Sequence, residues 1–187
     1  MLMEVNLKKY ITSYLFLFIL AGLIIALDQW TKYMIRTQLA FGQIWSPWEW
    51  LTPYARIIHW NNTGAAFGIF QGYGGIFTIL AIVVSLIIIY IFPRISPQEW
   101  ALRLALTLQL GGAVGNLIDR LTIGHVTDFI SVGNFPVFNV ADSSITVGVI
   151  VLLISVWIKD AQEKKLGNEK NVSAPPFLPG DSGTNRE

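Results

Sequence analysis

The stretch Ile76-Phe77-Thr78-Ile79-Leu80-Ala81-Ile82-Val83-Val84-Ser85-Leu86-Ile87-Ile88-Ile89-Tyr90-Ile91-Phe92 decides the fold. It carries no charge, and its only polar side chains are Thr78, Ser85 and Tyr90. Such a run approaches the roughly 20 apolar residues that a helix needs to cross the hydrocarbon of a bilayer. It must be helical there, because lipid offers no partner for a free backbone N–H or C=O. Three further runs flank it, at about 11–27, 100–118 and 137–158. Lys8 and Lys9 precede the first, as they would a signal peptide. Asp28-Gln29-Trp30-Thr31-Lys32 follows it in place of a small-residue cleavage site, so it reads as an uncleaved span.

Composition agrees with this pattern. The 187 residues are 53% hydrophobic and 13% charged, where a soluble chain carries about 25% charge. The net charge of +1 comes with no basic stripe, so nucleic acid is not an expected partner. Cysteine is absent, which removes disulfides, thiolate nucleophiles and cysteine metal sites from consideration. Two histidines, His59 and His125, are too few for a His-rich metal site, so neither metal nor cofactor is expected.

Lys and Arg orient the spans, because cytoplasmic loops hold the excess of both. With four spans, Lys8, Lys9, Arg94, Arg103, Lys159, Lys164, Lys165, Lys170 and Arg186 share one side and outnumber Lys32, Arg36, Arg56 and Arg120 on the other. Both termini are therefore expected in the cytoplasm, with 28–75 and 119–136 facing outward. The segment 28–75 is crowded with Trp45, Trp48, Trp50, Tyr54 and Trp60, rings that favour the headgroup region. Pro47 and Pro53 forbid a long helix there, and Arg56–Trp60 reads as a short strand. The expected fold is an all-α membrane protein of four transmembrane helices, with a small extracytoplasmic β-containing loop domain between helices 1 and 2. Residues 1–160 form its single domain, and 161–187 read as a polar, disordered cytoplasmic tail.

Two acids sit where acids are costly. Asp128 lies in His125-Val126-Thr127-Asp128-Phe129-Ile130, and Asp142 heads the last apolar run in Phe138-Asn139-Val140-Ala141-Asp142. A carboxylate at membrane depth costs about 2.5–3.5 kcal/mol on insertion scales unless water or a partner offsets it. Two close carboxylates that resist joint ionisation are suited to activating water. A loop with Gly133, Asn134 and Pro136 can fold Asp128 back over the last helix, where Asn139 and Asp142 share a face. The plainer reading is two unrelated interfacial acids.

Other polar residues gather nearby. Asn116 and Arg120, four apart at the end of the third span, share a helical face behind Gly111, Gly112 and Gly115. Arg120 is read either as a holder of an acid or lipid phosphate, or as a snorkelling cation with Asp119 as a surface partner. Asn62 and Gly64 open Asn62-Thr63-Gly64-Ala65-Ala66-Phe67-Gly68, a turn or helix start that can also aim an amide into a site. Asp28 and Lys32 are spaced to pair, either as part of the acid cluster or as an interfacial ion pair. His125 is a candidate base and equally an ordinary structural histidine. A proton- or ion-coupled transporter with Asp128, Asp142 and Arg120 as its relay remains open, as does a non-catalytic assembly factor.

In order along 10–160, Asp28-x-x-Thr31-Lys32, Asn62-x-Gly64-Ala65-Ala66-Phe67, Gly115-Asn116-x-x-Asp119-Arg120, Val126-x-Asp128-Phe129 and Phe138-Asn139-x-Ala141-Asp142 together resemble the bacterial lipoprotein signal peptidases, signal peptidase II. The resemblance implies an intramembrane aspartyl protease that cleaves prolipoproteins before a diacylglyceryl-modified cysteine. It implies Asp128 and Asp142 as the catalytic pair, with Asp28, Lys32, Asn62, Gly64, Asn116, Arg120 and Asn139 as the supporting or substrate-binding shell. Its implied partners are lipid-modified prolipoproteins and membrane lipids, and its implied place is the bacterial cytoplasmic membrane. A monomer is expected, with a small extracytoplasmic sheet and a mobile helix.

Overall fold

The structure is a computed structural model that describes residues 2–64 and 72–173. Among them, four helices are long and apolar enough to cross a membrane. They are α1 (Leu2–Gln38), α2 (Gly74–Ile91), α3 (Trp100–Thr122) and α4 (Val140–Ser173). The chain divides into two units, 1–153 and 154–187. In the second, α4 continues to Ser173 and Lys164 and Asp160 pair one turn apart.

Helix boundaries differ from expectation in one instructive way. The change from apolar to polar at Asp28 does not end α1, which runs on to Gln38. No Gly or Pro interrupts 28–38, and its polar residues find inward partners, so the helix has no reason to stop. Asp28 and Lys32 thus lie within the membrane-crossing helix rather than beyond it. α4 also continues through the polar stretch to Ser173, so 161–173 is helical where disorder was expected. Residues 174–187 of the expected tail lie outside the described residues.

Three antiparallel strands form a sheet in the order β1 (Ile44–Trp45), β2 (Ala55–Asn62) and β3 (Val126–Val132). The strand expected at Arg56–Trp60 is the middle of β2. The expectation of a loop domain confined to helices 1 and 2 needs correction, because β3 comes from the α3–α4 connection. Its register sets Trp60 opposite Asp128 and Asn62 opposite Val126. A hydrophobic strand with an acid in it cannot stand alone at an interface, and pairing with β2 satisfies its backbone.

Packing follows the glycines of α3. A Cβ on Gly111 would lie 2.8 Å from Ile24 Cβ of α1, and one on Gly112 would run into the Ala141 carbonyl of α4. Only hydrogen at these positions lets the three helices touch. Ser144 Oγ donates to the Leu108 carbonyl at 2.8 Å, a further tie between α4 and α3. Toward the opposite end of α3, Leu17, Ala21, Ile88, Phe92, Leu106 and Leu110 make the apolar core. There Arg103 is buried, donating to the Ile95 carbonyl at 3.1 Å and lying over the Phe92 ring.

Candidate active site

The last turns of α1 and α3, strand β3 and the first turn of α4 converge on one cluster. Gly124 (φ +79°) turns the chain out of α3 into β3. Gly133 (φ +51°) reverses it after β3, so that Phe138 exchanges backbone hydrogen bonds with Ile130 at 2.8 and 3.0 Å. Positive φ suits glycine because it has no Cβ to clash. This short return sets Asn139 beside Asp128.

Asn139 then starts α4. Its Oδ1 accepts the Asp142 N–H at 2.9 Å, and its own N–H donates to Asp142 Oδ2 at 3.3 Å. This is a reciprocal capping box in which the acid at the third helical position is Asp142. Asp28 Oδ1 accepts the neighbouring Ala141 N–H at 2.9 Å, so another orphan donor of the helix start is satisfied from α1.

The amides are oriented by donors that cannot turn round. Because Asn139 Oδ1 faces a backbone N–H, its Nδ2 must face Asp128 Oδ1, at 2.7 Å. Asn62 Oδ1 accepts the Gly64 N–H at 2.9 Å, so its Nδ2 donates to Asp128 Oδ2 at 2.9 Å. Asn116 Oδ1 accepts from Lys32 Nζ at 2.8 Å, so its Nδ2 donates to Asp142 Oδ1 at 2.8 Å. Both carboxyl groups are therefore gripped at both oxygens by N–H donors.

Behind them lies a second, fully buried layer. Lys32 (0% exposed) pairs with Asp28 (0%) at 2.8 Å and Asp119 (1%) at 3.2 Å. Asp119 also accepts the Thr127 N–H at 2.9 Å and the Gln29 amide at 3.1 Å, and it lies 3.4 Å from Arg36. It is not the surface partner of Arg120 that one reading of the sequence allowed. Gly115 makes room for this layer, since a Cβ there would sit 2.7 Å from Asp28 Oδ2.

Asp128 is itself 1% exposed, while Asp142 is half-buried at the wall of a cavity of about 530 Å³. Asn62, Asn116 and Arg120 also line it, and Val126, Phe138 and Ile145 are among its apolar walls. Arg120 lies 5.6 Å from the Phe77 ring of α2, which leaves its guanidinium at the cavity rather than in an ion pair with Asp119. Burial, and then the charge of Asp142, push the Asp128 carboxyl up to about 7, against the hydrogen bonds from Asn62 and Asn139 and the charge of Lys32.

All nine residues singled out from sequence fall in or against this cluster. Gly64 supplies the N–H that orients Asn62, and Ala65, Ala66, Phe67 and Gly68 of its motif lie outside the described residues. His125 occupies the turn before β3. Sequence reasoning missed Gln29, Arg36, Asp119 and Thr127 as partners in the buried layer. Asp119 was findable, because it is one helical turn from Gly115 and Asn116 on the same face. No group of three or more His, Asp or Glu that could hold a metal occurs among the described residues.

Membrane-crossing helices that close around two acids beside a largely apolar cavity define a multi-pass membrane protein whose site is equipped for acid–base work. The profile of the family described as Signal peptidase (SPase) II matches residues 20–158. Lipoprotein signal peptidase of Shouchella clausii is 40% identical over 79% of this chain and 97% of its own length. That of Staphylococcus aureus is 36% identical over 88% of this chain and 98% of its own. A solved bacterial membrane enzyme superposes with a TM-score of 0.72 at 34% identity, covering 79% of this chain and 90% of that one. The chain belongs to the signal peptidase II family, proteases that remove signal peptides from prolipoproteins.

Proposed function

We propose that the chain is an aspartyl endopeptidase that cuts lipid-modified prolipoproteins before the diacylglyceryl-modified cysteine, with Asp128 and Asp142 as the catalytic pair. One observation carries the reading. The side chain of Asn139 donates to Asp128 and accepts from the backbone of Asp142, so a single residue ties together an acid at the cavity wall, Asp142, and one buried behind it, Asp128. Family membership supports the substrate class. The apolar walls of the cavity suit a signal peptide and an acyl chain, and Arg120 suits the polar groups of a lipid headgroup or the peptide carbonyls.

The pair holds one proton in the working state. The ionised carboxylate takes a proton from a bound water, and the water oxygen attacks the scissile carbonyl carbon. The protonated carboxyl gives its proton to the carbonyl oxygen, and a gem-diol forms. In its collapse one gem-diol hydroxyl returns its proton to the carboxylate that protonated the carbonyl oxygen, the C–N bond breaks, and the proton first taken from water passes to the leaving amine, so the pair again holds one proton. Acid–base help of this kind contributes about 10²–10⁴-fold, and positioning adds to it. The Lys and Arg distribution supports cytoplasmic termini and a site at the outer face. The exposed rings of Trp45, Trp48 and Trp50 suit a sheet that rests in the headgroup region.

The test is cleavage of a lipid-modified peptide by purified protein in detergent, without an ion gradient or a second protein. Asp128→Asn and Asp142→Asn each lower kcat by about 10³-fold or more while the protein still folds. Near-normal cleavage by either variant would sink the pair.

A further inference from the structure

Resting on the aspartyl reading above, we propose that Lys32 is a positioning residue for the acid pair. Its buried ammonium fixes the amide of Asn116 and sets the pH range in which the pair holds a single proton. An ammonium has three N–H donors and no acceptor. All three are used, on Asp28 at 2.8 Å, Asp119 at 3.2 Å and Asn116 Oδ1 at 2.8 Å. The third of these is the one that matters for chemistry. An asparagine amide can present either end to a neighbour, and a carboxyl group can accept or, when protonated, donate. A permanent donor on Asn116 Oδ1 removes that freedom, so Nδ2 meets Asp142 and Asp142 Oδ1 is held as an acceptor.

The charge acts at longer range. Lys32 pairs with Asp28 of α1 and Asp119 of α3, and its charge reaches Asp128 of β3 and Asp142 of α4; the other cations nearby are Arg36 of α1, against Asp119, and Arg120 of α3, at the cavity. Strand β2 contributes the neutral Asn62, and α2 contributes Phe77 at the cavity. Asp28 and Asp119 share the ammonium, while Arg36 approaches the other oxygen of Asp119. The buried layer is thus balanced by two cations against two acids. Removing Lys32 leaves an excess of negative charge directly behind Asn116, and negative charge there makes both protons of the pair harder to lose. Burial sharpens the effect, because no water screens it.

A purely architectural lysine would lower the yield of folded enzyme or kcat and leave the pH dependence where it was. The discriminating measurement is kcat/KM for the lipid-modified peptide, with the full chain in detergent, from about pH 4 to about pH 10, where the limbs of a bell report the essential acid and base of the free enzyme. Lys32→Met moves both limbs upward by about one unit. Asp28→Asn keeps an oxygen for the Ala141 N–H, leaves Lys32 less neutralised, and moves both limbs downward. Limbs that stay put, or that move the same way in both variants, overturn the proposal. If Lys32→Met does not fold, the sign of the Asp28→Asn shift decides alone. Fixed limbs alongside inactive Asp128→Asn and Asp142→Asn variants condemn only the role of Lys32. Cleavage by either of those two variants condemns the acid pair instead.

Discussion

Helices α2 and α3 span 18 and 23 residues, so each is long enough to cross the hydrocarbon, yet their surfaces are opposites. α2 is apolar nearly all round, and Ile79, Leu80, Leu86 and Ile87 stand exposed for lipid. α3 buries Arg103, Thr107, Asn116 and Asp119 and presents Gly111, Gly112 and Gly115 to its neighbours. Mean hydropathy over the best window is 2.9 for α2 and 1.3 for α3, so the helix that lipid would accept less readily is the one the others surround. A membrane helix that is poor in apolar residues is affordable when its polar groups are spoken for by other helices, and those groups are where a site gathers.

The contrast breaks most visibly at the glycines. Gly112→Leu drives a side chain into the Ala141 carbonyl and should cost about 3 kcal/mol or more, or prevent folding. A Cβ on Gly75 of α2 would meet nothing within 4 Å among the described residues, so Gly75→Leu should leave the Tm in detergent close to that of the parent. Equal losses at both positions would erase the distinction between the two helices.

A pH titration of stability tests the polar end directly. Asp128 is raised from 3.8 to about 7, so between those values the folded chain keeps a proton that the unfolded chain has released. Stability therefore falls as pH rises from about 4 to about 7, by about 2–4 kcal/mol, and levels off above. The Tm in detergent should follow this course, and Asp128→Asn should flatten it. A parent Tm that rises across the same window would contradict the burial of this acid.

Asn139→Ala removes the helix cap and the amide on Asp128 together. It should cost about 1 kcal/mol in thermal unfolding and about 10²-fold in kcat, a loss of rate out of proportion to the loss of stability. At the small end, Ile79→Leu on the exposed face of α2 should shift stability by less than about 0.5 kcal/mol and leave cleavage unchanged.

Much of this was legible in the sequence, for physical reasons that differ by residue. Apolar runs announce membrane helices because the bilayer sets their length, and Asn139 and Asp142 could be set side by side because their spacing is local, although their capping of α4 was not read. The far end of α1 was misjudged at Asp28 because a polar residue looks like an exit from the membrane until its partner is known. That partner, the Ala141 N–H, is 113 positions away. The third strand was missed because Val126–Val132 pairs with a segment on the other side of two helices. Asp119 was left at the surface because the lysine and the Thr127 N–H that hold it belong to other elements.

The contact between Asp28 and the head of α4 also orders events in time. During synthesis the first helix emerges well before the last, and until α4 arrives Asn139 and Asp142 have not yet been made. A nascent chain short of α4 therefore holds Asp28 without the Ala141 N–H, and the polar cluster closes only with the last helix to be made.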